Sequence, residues 1–323
     1  MLAAYAARTD PDDPVGALEV AERPEPGSRA GWTTVTLKAA SLNHHDLWSL
    51  RGVGLPADRL PMVLGCDGAG VDEDGHEIIV HSVVASDGWS GDETLDPARS
   101  LLSELHDGTL AERVSVPRAN LVPKPQAMSW ETAACLPTAW LTAYRMLFTN
   151  ADVAPGSTVL VQGAGGGVAT ALVQLGSAAG LRMWVVTRDE TKADRAAEIG
   201  ADRTFPSGAR LPERVDAVME SVGAATWSHS VNSLNPGGTI VICGATSGDA
   251  PVKAELTKIF FRQLRVVGST MGTREELGRL ARFVTDRQIQ PVVDSVRPLA
   301  QAREGFARMA GGDVFGKVVF TVG

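Results

Sequence analysis

Two adjacent histidines and an aspartate stand in the segment SLNHHDLWSLRG, residues 41–52. Imidazole and carboxylate groups are metal ligands, so this segment by itself is compatible with a zinc site. A catalytic zinc needs three protein ligands, and the cysteines that could complete the set are scattered at Cys66, Cys135 and Cys243. A nonstandard metal site that combines His44 or His45 with Cys66 stays open at this point.

A second kind of chemistry is indicated by VLVQGAGGGVATALVQLG, residues 159–176. An apolar strand runs into glycines and then into a helical spacing, the arrangement in which backbone N–H groups and a helix N-terminus bind a diphosphate. The spacing Gly163-x-x-Gly166-x-x-Ala169 departs from GxGxxG, and a tight turn without a ligand is the alternative. Because further strand–helix units follow, we predict that a dinucleotide binds at Gly163, Gly165, Gly166, Gly167 and Val168.

The end of the next predicted strand, VVTRDETK, bears on which dinucleotide is bound. An NAD site usually places Asp or Glu there to hold the ribose diol. Thr187 stands at that position, and Arg188 and Lys192 lie one helical turn apart, which favours a 2′-phosphate. We therefore predict NADP(H), with a solvated helix start as the alternative, and Asp189 leaves the use of NADH open.

The elements that must position these residues differ between the two parts of the chain. Short strands separated by Pro and Gly, with a hairpin at Asp74-Gly75, predict a small, mostly β domain in the first third. From Ser157 onward strands and helices alternate, which predicts an α/β domain with a doubly wound parallel sheet. The strand GKVVFTV near the end could complete the first domain. We predict a discontinuous domain at 1–122 and 268–323 and a dinucleotide-binding domain at 123–267.

Composition excludes several classes of partner. The 323 residues include 30 Lys and Arg against 38 Asp and Glu, and the net charge of −8 argues against a nucleic-acid or anionic membrane surface. The apolar stretch 168–186 is interrupted by polar residues and glycine, unlike a membrane span. The start lacks the pattern of a signal peptide, and scattered cysteines suit a reducing compartment. We expect a cytoplasmic protein with a small-molecule substrate, and no partner among nucleic acids or membranes.

Several segments, taken in order, resemble the medium-chain dehydrogenase/reductase superfamily and within it the zinc-independent quinone oxidoreductase branch. They are AASLNHHDLWSLRG, LPMVLGCDGAGV, LPTAWLTAYRML, the glycine turn, NPGGTIVICG and FGKVVF, and they extend over nearly the whole chain. The resemblance implies a GroES-like, mostly β catalytic domain, a Rossmann domain and a cofactor in the cleft between them. It also implies a homodimer joined at the last Rossmann strand.

The same resemblance bears on zinc. Zinc-dependent relatives bind the catalytic ion through positions that match Asn43, Cys66 and Thr138 here, so one thiol remains of the ligand set. The GHE at 75–77 follows an Asp-Gly turn and does not match that motif. The cysteine cluster of the relatives' structural zinc is absent from 86–117. We predict that the protein holds no metal.

Residue roles also follow from the resemblance. Asn43, His45 and Thr138 are predicted to be catalytic; Asn43 would lie near the nicotinamide, and His45 would donate a proton unless it only packs locally. Asp46 is expected to fix its loop. Further cofactor contacts are predicted for His44, Thr142, Val222, Gly244 and Phe315, with Phe315 covering the nicotinamide and His44 directed toward the diphosphate.

Together these expectations describe an NADPH-dependent, zinc-independent oxidoreductase that transfers hydride to a quinone or to an activated C=C bond. Two alternatives remain open. One is an enoyl-thioester reductase of a biosynthetic pathway, and the other is a non-catalytic NADPH-binding protein of the same fold.

Overall fold

The computed structural model describes residues 1–323, which form eighteen strands and nine α-helices. The strands are β1 (Leu2–Ala6), β2 (Leu18–Glu22), β3 (Trp32–Ser41), β4 (Met62–Val63), β5 (Asp67–Asp72), β6 (Glu77–Val80), β7 (Val83–Val84), β8 (Ser100–Leu101), β9 (Arg113–Pro117), β10 (Leu121–Pro123), β11 (Thr158–Gln162), β12 (Arg182–Thr187), β13 (Arg203–Pro206), β14 (Val215–Glu220), β15 (Leu234–Ile242), β16 (Arg265–Gly268), β17 (Val293–Pro298) and β18 (Lys317–Thr321). The helices are α1 (His44–Leu50), α2 (Trp130–Cys135), α3 (Leu141–Arg145), α4 (Gly167–Ala178), α5 (Glu190–Glu198), α6 (Trp227–Ser233), α7 (Leu256–Phe261), α8 (Arg274–Asp286) and α9 (Ala302–Ala310). No helix combines the length and the apolar character that crossing a bilayer requires.

The chain divides into two compact units. The first unit is Met1–Leu141 with Met271–Gly323, and the second unit is Thr142–Thr270. The discontinuous first domain expected from the closing strand is present, but its boundaries lie later than the predicted 122/123 and 267/268. Residues 123–141 stay with the first unit because α2 packs on β3 and β5, and Ser41 Oγ of β3 lies 2.9 Å from Ala134 O of α2.

The first unit is built around β3. Its main sheet has the order β10-β6-β5-β3-β18-β17, with β9 also paired to β3, and two smaller sheets join β2-β1-β4 and β7-β8. The predicted hairpin is the antiparallel pair β5–β6, and β18 pairs antiparallel with β3. Side chains on the inner face alternate along β3, so that Val35 and Leu37 enter a core completed by Phe306 and Phe320 from the other end of the chain. The closing strand therefore belongs to the first core.

The second unit is a six-stranded parallel sheet with the order β13-β12-β11-β14-β15-β16. This is the doubly wound Rossmann order, in which the strand sequence reverses direction between the first and fourth strands. β11 is buried along its whole length, as expected for a central parallel strand covered on both faces. The reversal places the carboxyl ends of β11 and β14 side by side, which is where ligands bind in such sheets.

Candidate functional site

A buried group of polar side chains lies where β5, β3 and β18 meet; we call Ser41, Asn43, Asp67 and Lys317 the lysine cluster. The Lys317 Nζ donates to Asn43 Oδ1 at 2.6 Å, to Asp67 Oδ2 at 2.9 Å and to Leu42 O at 2.8 Å. These bonds use all three N–H groups of the ammonium. Ser41 Oγ donates to the same Asp67 oxygen at 2.9 Å, so the buried cation and carboxylate form a hydrogen-bonded ion pair.

Two atoms of this cluster remain without a protein partner. Asn43 Nδ2 and Asp67 Oδ1 are both buried and neither makes a hydrogen bond. The amide of Asn43 has only one orientation that suits its neighbour, because an ammonium donates and must face the carbonyl oxygen. The two N–H groups of the Asn43 amide are therefore directed away from Lys317 and lack an acceptor.

The segment that follows Asn43 is held by Asp46, as the sequence indicated. Asp46 accepts the Asn43 N–H at 2.8 Å and the Gly65 N–H at 2.9 Å, and its burial raises the pKa of its carboxyl. His45 is partly buried, and its Nε2 lies 3.8 Å from Glu104 Oε1. His44 is exposed; desolvation by the surrounding protein, followed by the charges of Lys317 and Arg51, lowers the pKa of its ring.

The positions that match zinc ligands in relatives do not form a zinc-binding set. Cys66 is fully buried, its Sγ donates to Leu102 O at 3.2 Å, and burial raises the pKa of this thiol well above its ordinary value. Zinc binds the thiolate, which such surroundings disfavour. Asn43 Oδ1 is occupied by the Lys317 ammonium, whose charge also opposes a cation. Thr138 lies in a π-helical segment, Leu136–Trp140, with its hydroxyl buried and unpartnered.

Three other potential ligands gather at the β5–β6 turn: Asp72, Asp74 and His76. The Asp72 carboxylate accepts the N–H groups of Asp74 and His76, and Asp74 pairs with Arg118 at 3.0 Å. These contacts account for the group as a turn. Glu77 is the first residue of β6.

The glycine turn lies at the carboxyl end of β11 in the second unit. Gly163 has φ of +89°, a left-handed conformation that favours glycine, and its N–H donates to Val186 O at 2.8 Å. A side chain added at Gly166, the residue before α4, would meet no heavy atom within 4 Å, so the backbone is open to a ligand there. Val222 lies next to the turn, since a Cβ on Gly163 would stand 3.7 Å from its Cγ2. The strand, turn and helix thus have the arrangement expected for diphosphate binding.

The end of β12 shows what Asp189 does. Its Oδ1 accepts the Lys192 N–H at 3.1 Å, which makes Asp189 the N-cap of α5, and its own N–H donates to Thr187 Oγ1 at 3.2 Å. Arg188 is exposed beside this cap. The carboxylate that left NADH use open therefore has a structural task at the start of the helix.

A buried carboxylate that is absent from the sequence predictions ends β14. Glu220 accepts the N–H groups of Val222 and Gly223 at 2.7 and 3.0 Å and the hydroxyls of Thr226 and Ser230 at 2.8 and 2.6 Å. Ser230 in turn accepts a hydrogen bond from Gln162 Nε2 at 2.9 Å, so the group connects β14 to the end of β11. We call these residues the glutamate cluster. An acid that ends the otherwise mostly apolar strand VDAVME is the sequence signal that identifies it.

The predicted site residues fall in both units. Asn43, His44, His45, Thr138 and Phe315 belong to the first, and the glycine turn with Thr142, Val168, Thr187, Arg188, Lys192, Val222 and Gly244 belongs to the second. Phe315 is 1% exposed and its N–H donates to Asp294 Oδ1 at 3.1 Å. Thr142 is buried in α3. Gly244 follows β15, where an added Cβ would stand 3.2 Å from Ser221 O. Their roles toward a cofactor stay predictions.

Comparison with known proteins agrees with this architecture. The alcohol dehydrogenase GroES-like domain matches residues 29–126, and the family described as zinc-binding dehydrogenase matches residues 167–286. A zinc-type alcohol dehydrogenase-like protein of Schizosaccharomyces pombe is 30% identical over 328 residues, covering 94% of this chain and 93% of its own length. An acryloyl-coenzyme A reductase of Metallosphaera sedula is 29% identical over 322 residues, with 94% and 96% covered.

Among solved structures, a protein described as an NAD-dependent alcohol dehydrogenase superposes with a TM-score of 0.90 at 35% identity, and both chains are covered completely. The two domain matches, the full-length relatives and this superposition agree with the GroES-like and Rossmann units seen here. The chain belongs to the medium-chain dehydrogenase/reductase superfamily of oxidoreductases.

Proposed function

We propose that the protein is an NADPH-dependent, zinc-independent reductase that transfers hydride to a quinone or to a C=C bond conjugated with a carbonyl group. The observation that supports this most directly is the replacement of a zinc ligand set by Asn43, a buried Cys66 thiol and Thr138 in a protein with a dinucleotide-binding turn. NADPH bound at that turn would supply hydride from the nicotinamide ring. The three free cysteines are consistent with a cytoplasmic location.

The second unit would hold the cofactor. The backbone from Gly163 to Gly167 and the N-terminus of α4 can donate N–H groups to the diphosphate. Arg188 can bind a 2′-phosphate through two parallel hydrogen bonds, with Lys192 one helical turn away. The Asp189 carboxylate accepts a hydrogen bond at the helix start through Oδ1.

The first unit would hold the acceptor. Asn43 offers an unpartnered amide N–H, and Thr138 offers an unpartnered hydroxyl. His45 is the candidate proton donor, and its Nε2 lies 3.8 Å from Glu104 Oε1. No covalent nucleophile is required, since hydride addition followed by protonation completes the reduction.

An enoyl thioester is the second candidate acceptor, favoured by the similarity to the acryloyl-coenzyme A reductase. An enone and an enoyl thioester share the conjugated carbonyl, and they differ in the long carrier arm of the thioester. The ratio of kcat/KM for matched enone and thioester pairs therefore decides between them.

The test is a screen of NADPH oxidation over quinones, enones and enoyl thioesters, with NADH run in parallel. We expect NADPH to be preferred by roughly tenfold to a hundredfold, the range of hydrogen bonds to a charged group. Arg188→Ala should remove most of that preference, whereas Arg182→Ala, an exposed arginine paired with Glu213 at 3.2 Å, should not. Equal rates with NADH in the wild type would contradict the phosphate assignment.

Two further outcomes would change the proposal. Tight NADPH binding without turnover on any acceptor would support a non-catalytic role. Stoichiometric zinc in the purified protein, lost together with activity on chelation, would overturn the metal-free mechanism.

We also infer a homodimer formed at the open edge of the parallel sheet. β16 is the last strand and carries the exposed Val266, and the neighbouring helix α7 exposes Phe260 and Phe261, the latter at 80%. An unpaired apolar edge of this kind is a site of strand-to-strand association. Phe261→Glu should convert a dimer into a monomer in light scattering, and Leu95→Glu, an exposed position of the first unit, should not. A monomeric wild type would refute the inference.

A further inference from the structure

The lysine cluster contains a donor that the protein itself does not satisfy. Asn43 is 6% exposed, and its Nδ2 has no hydrogen-bond partner. A buried unpartnered donor costs about 1–3 kcal/mol, so it persists where something else compensates for it. Because Lys317 fixes the amide orientation, the atom that compensates must be a hydrogen-bond acceptor. Asn43 is more exposed than the two residues of the ion pair, Lys317 and Asp67, and Asp67 is fully buried.

The ammonium also changes the chemistry of that donor. Lys317 Nζ lies 2.6 Å from Asn43 Oδ1, and no N–H of the ammonium is left for a ligand. A cation bound to the carbonyl oxygen of an amide draws electron density from its nitrogen, and the N–H groups become stronger donors through the polarised chain. Asp67 pairs with the ammonium at 2.9 Å and compensates its charge in the interior. The positive charge of Lys317 therefore acts on the unpartnered N–H groups of Asn43 without any metal ion.

We propose that Asn43 Nδ2 binds the carbonyl oxygen of the acceptor, and that Lys317 is the positioning residue that polarises Asn43 in place of a Lewis-acidic metal. This inference rests on the proposed reductase function and defines its substrate as an acceptor with a carbonyl conjugated to the reducible bond. Asn43 is the catalytic residue, because it touches the substrate oxygen. Asp67 acts through Lys317.

With an enone as acceptor, bound NADPH would supply the hydride that forms a C–H bond at the β-carbon, and the cofactor would be oxidised by two electrons. The π pair of the C=C bond moves toward the carbonyl, and negative charge develops on the oxygen that faces Asn43 Nδ2. A proton then adds at the α-carbon, and the product is the saturated carbonyl compound with NADP⁺. A donor preorganised at the developing oxyanion lowers the barrier because its bond strengthens in the transition state.

The primary test is a substitution that changes one group of the cluster. Asn43→Asp keeps the oxygen that accepts from Lys317 and replaces the unpartnered NH₂ with an oxygen. We expect kcat/KM for an enone to fall by roughly 10²- to 10³-fold, as for removal of an oxyanion donor, with the Kd for NADPH unchanged. Asn232→Asp is the matched control, since Asn232 is an exposed amide of the second unit that bonds only within its own helix.

A spectroscopic readout separates polarisation from structural support. 4-Nitrophenolate resembles an enolate oxygen, and its ionisation is measured by absorbance while it is bound to the NADP⁺ complex. We expect the wild type to bind the anion about tenfold more tightly than the neutral phenol, which lowers the pKa of the bound phenol by about one unit. Asn43→Asp should abolish this preference. The double variant Lys317→Met/Asp67→Asn, which removes both charges together, should weaken it although Asn43 is intact.

The outcomes distinguish this inference from the proposed function. If the wild type shows no preference for the anion, or if Asn43→Asp retains it, the inference is wrong. If enones are reduced and the Asn43 variant is as fast as wild type, the inference fails and the reductase proposal stands. If no acceptor is reduced but the anion preference depends on Asn43 and Lys317, the oxyanion site stands and the reductase proposal fails. Should the double variant not fold, Asn43→Asp decides by itself.

Discussion

Each unit buries a carboxylate at one end of a strand, and the two are stabilised in different ways. Asp67 in the first unit is paired with the ammonium of Lys317, and one of its oxygens has no partner. Glu220 in the second unit has no cation in its group, and four neutral donors from the following loop and helix satisfy both of its oxygens. The lysine cluster, which contains the paired charge, leaves hydrogen-bonding atoms without a partner that a ligand could use. In the glutamate cluster, neutral donors satisfy the carboxylate, and the cluster therefore fixes its loop.

The largest expected effect comes from breaking the ion pair of the lysine cluster. Lys317→Met leaves the buried Asp67 carboxylate without its cation, and we expect the free energy of unfolding to fall by about 3–5 kcal/mol in urea titrations. Adding Asp67→Asn should recover most of the loss, because the uncompensated charge is removed. Arg279→Met, which breaks an exposed pair with Glu275, is the control and should change stability far less. If the double variant loses as much stability as Lys317→Met, then side-chain packing, and not the uncompensated charge, determines the effect.

The glutamate cluster should respond more mildly to loss of charge. Glu220→Gln retains one acceptor oxygen and turns an NH₂ group toward hydroxyl or N–H donors, so we expect a loss of about 2 kcal/mol. Faster hydrogen exchange at the amides of Val222 and Gly223 should accompany it, because their acceptor is weakened. Glu213→Gln, on the surface, provides the comparison. Unchanged exchange at these two amides would show that Glu220 does not hold the loop.

Acid titration distinguishes two possible sources of pH-dependent stability in the first unit, which are the lysine cluster and His81 outside it. His81 is buried, its Nε2 bonds to Gly272 O at 2.9 Å, and burial lowers the pKa of its ring, with Glu93, Arg274 and Glu276 as charged neighbours. The folded state keeps the ring neutral, while the unfolded chain takes up a proton below about pH 6.5. Its contribution to stability is therefore full above that pH and is lost as the pH falls toward the lower folded pKa.

We expect the free energy of unfolding to decline by about 1 kcal/mol per pH unit in that window. His81→Gln should flatten the decline, and Lys317→Met/Asp67→Asn should leave it unchanged. The measurement is denaturant unfolding at a series of pH values from 7 downward. Equal slopes in the wild type and in His81→Gln would assign the acid sensitivity to other groups.

The smallest effect is expected at Asp189, whose carboxylate is exposed, unlike the buried carboxylates of Asp67 and Glu220. Asp189 caps α5 from the surface, and Asp189→Ala should lower stability by about 1 kcal/mol, with Asp189→Asn close to wild type. The Kd for NADPH should not rise in either variant, because the carboxylate is not a ligand of the cofactor in this proposal. A marked loss of NADH binding in Asp189→Ala would instead make Asp189 a ribose ligand.

The features that depend on local sequence were predicted correctly. The change from short strands to alternating strands and helices predicted the two architectures, and the Asp-Gly turn located the β5–β6 hairpin. The glycine turn was recognisable because Gly163 stands where the backbone needs a left-handed residue. The predicted boundary at 122/123 differs from the division at 141/142, because the packing of α2 on β3 and β5 is a long-range contact that local sequence patterns do not specify.

The sequence by itself determined that a dinucleotide-binding sheet is present, and its resemblance to the family placed Asn43, Cys66 and Thr138 at the positions of the zinc ligands of zinc-dependent relatives. These features depend on residue type and short-range spacing. Only the tertiary structure decided that Lys317 donates to Asn43, because 274 residues separate them and the antiparallel pairing of β18 with β3 brings them together. Whether a buried charged group is paired or keeps an unpartnered hydrogen-bonding atom depends on such long-range partners, which local sequence patterns do not specify.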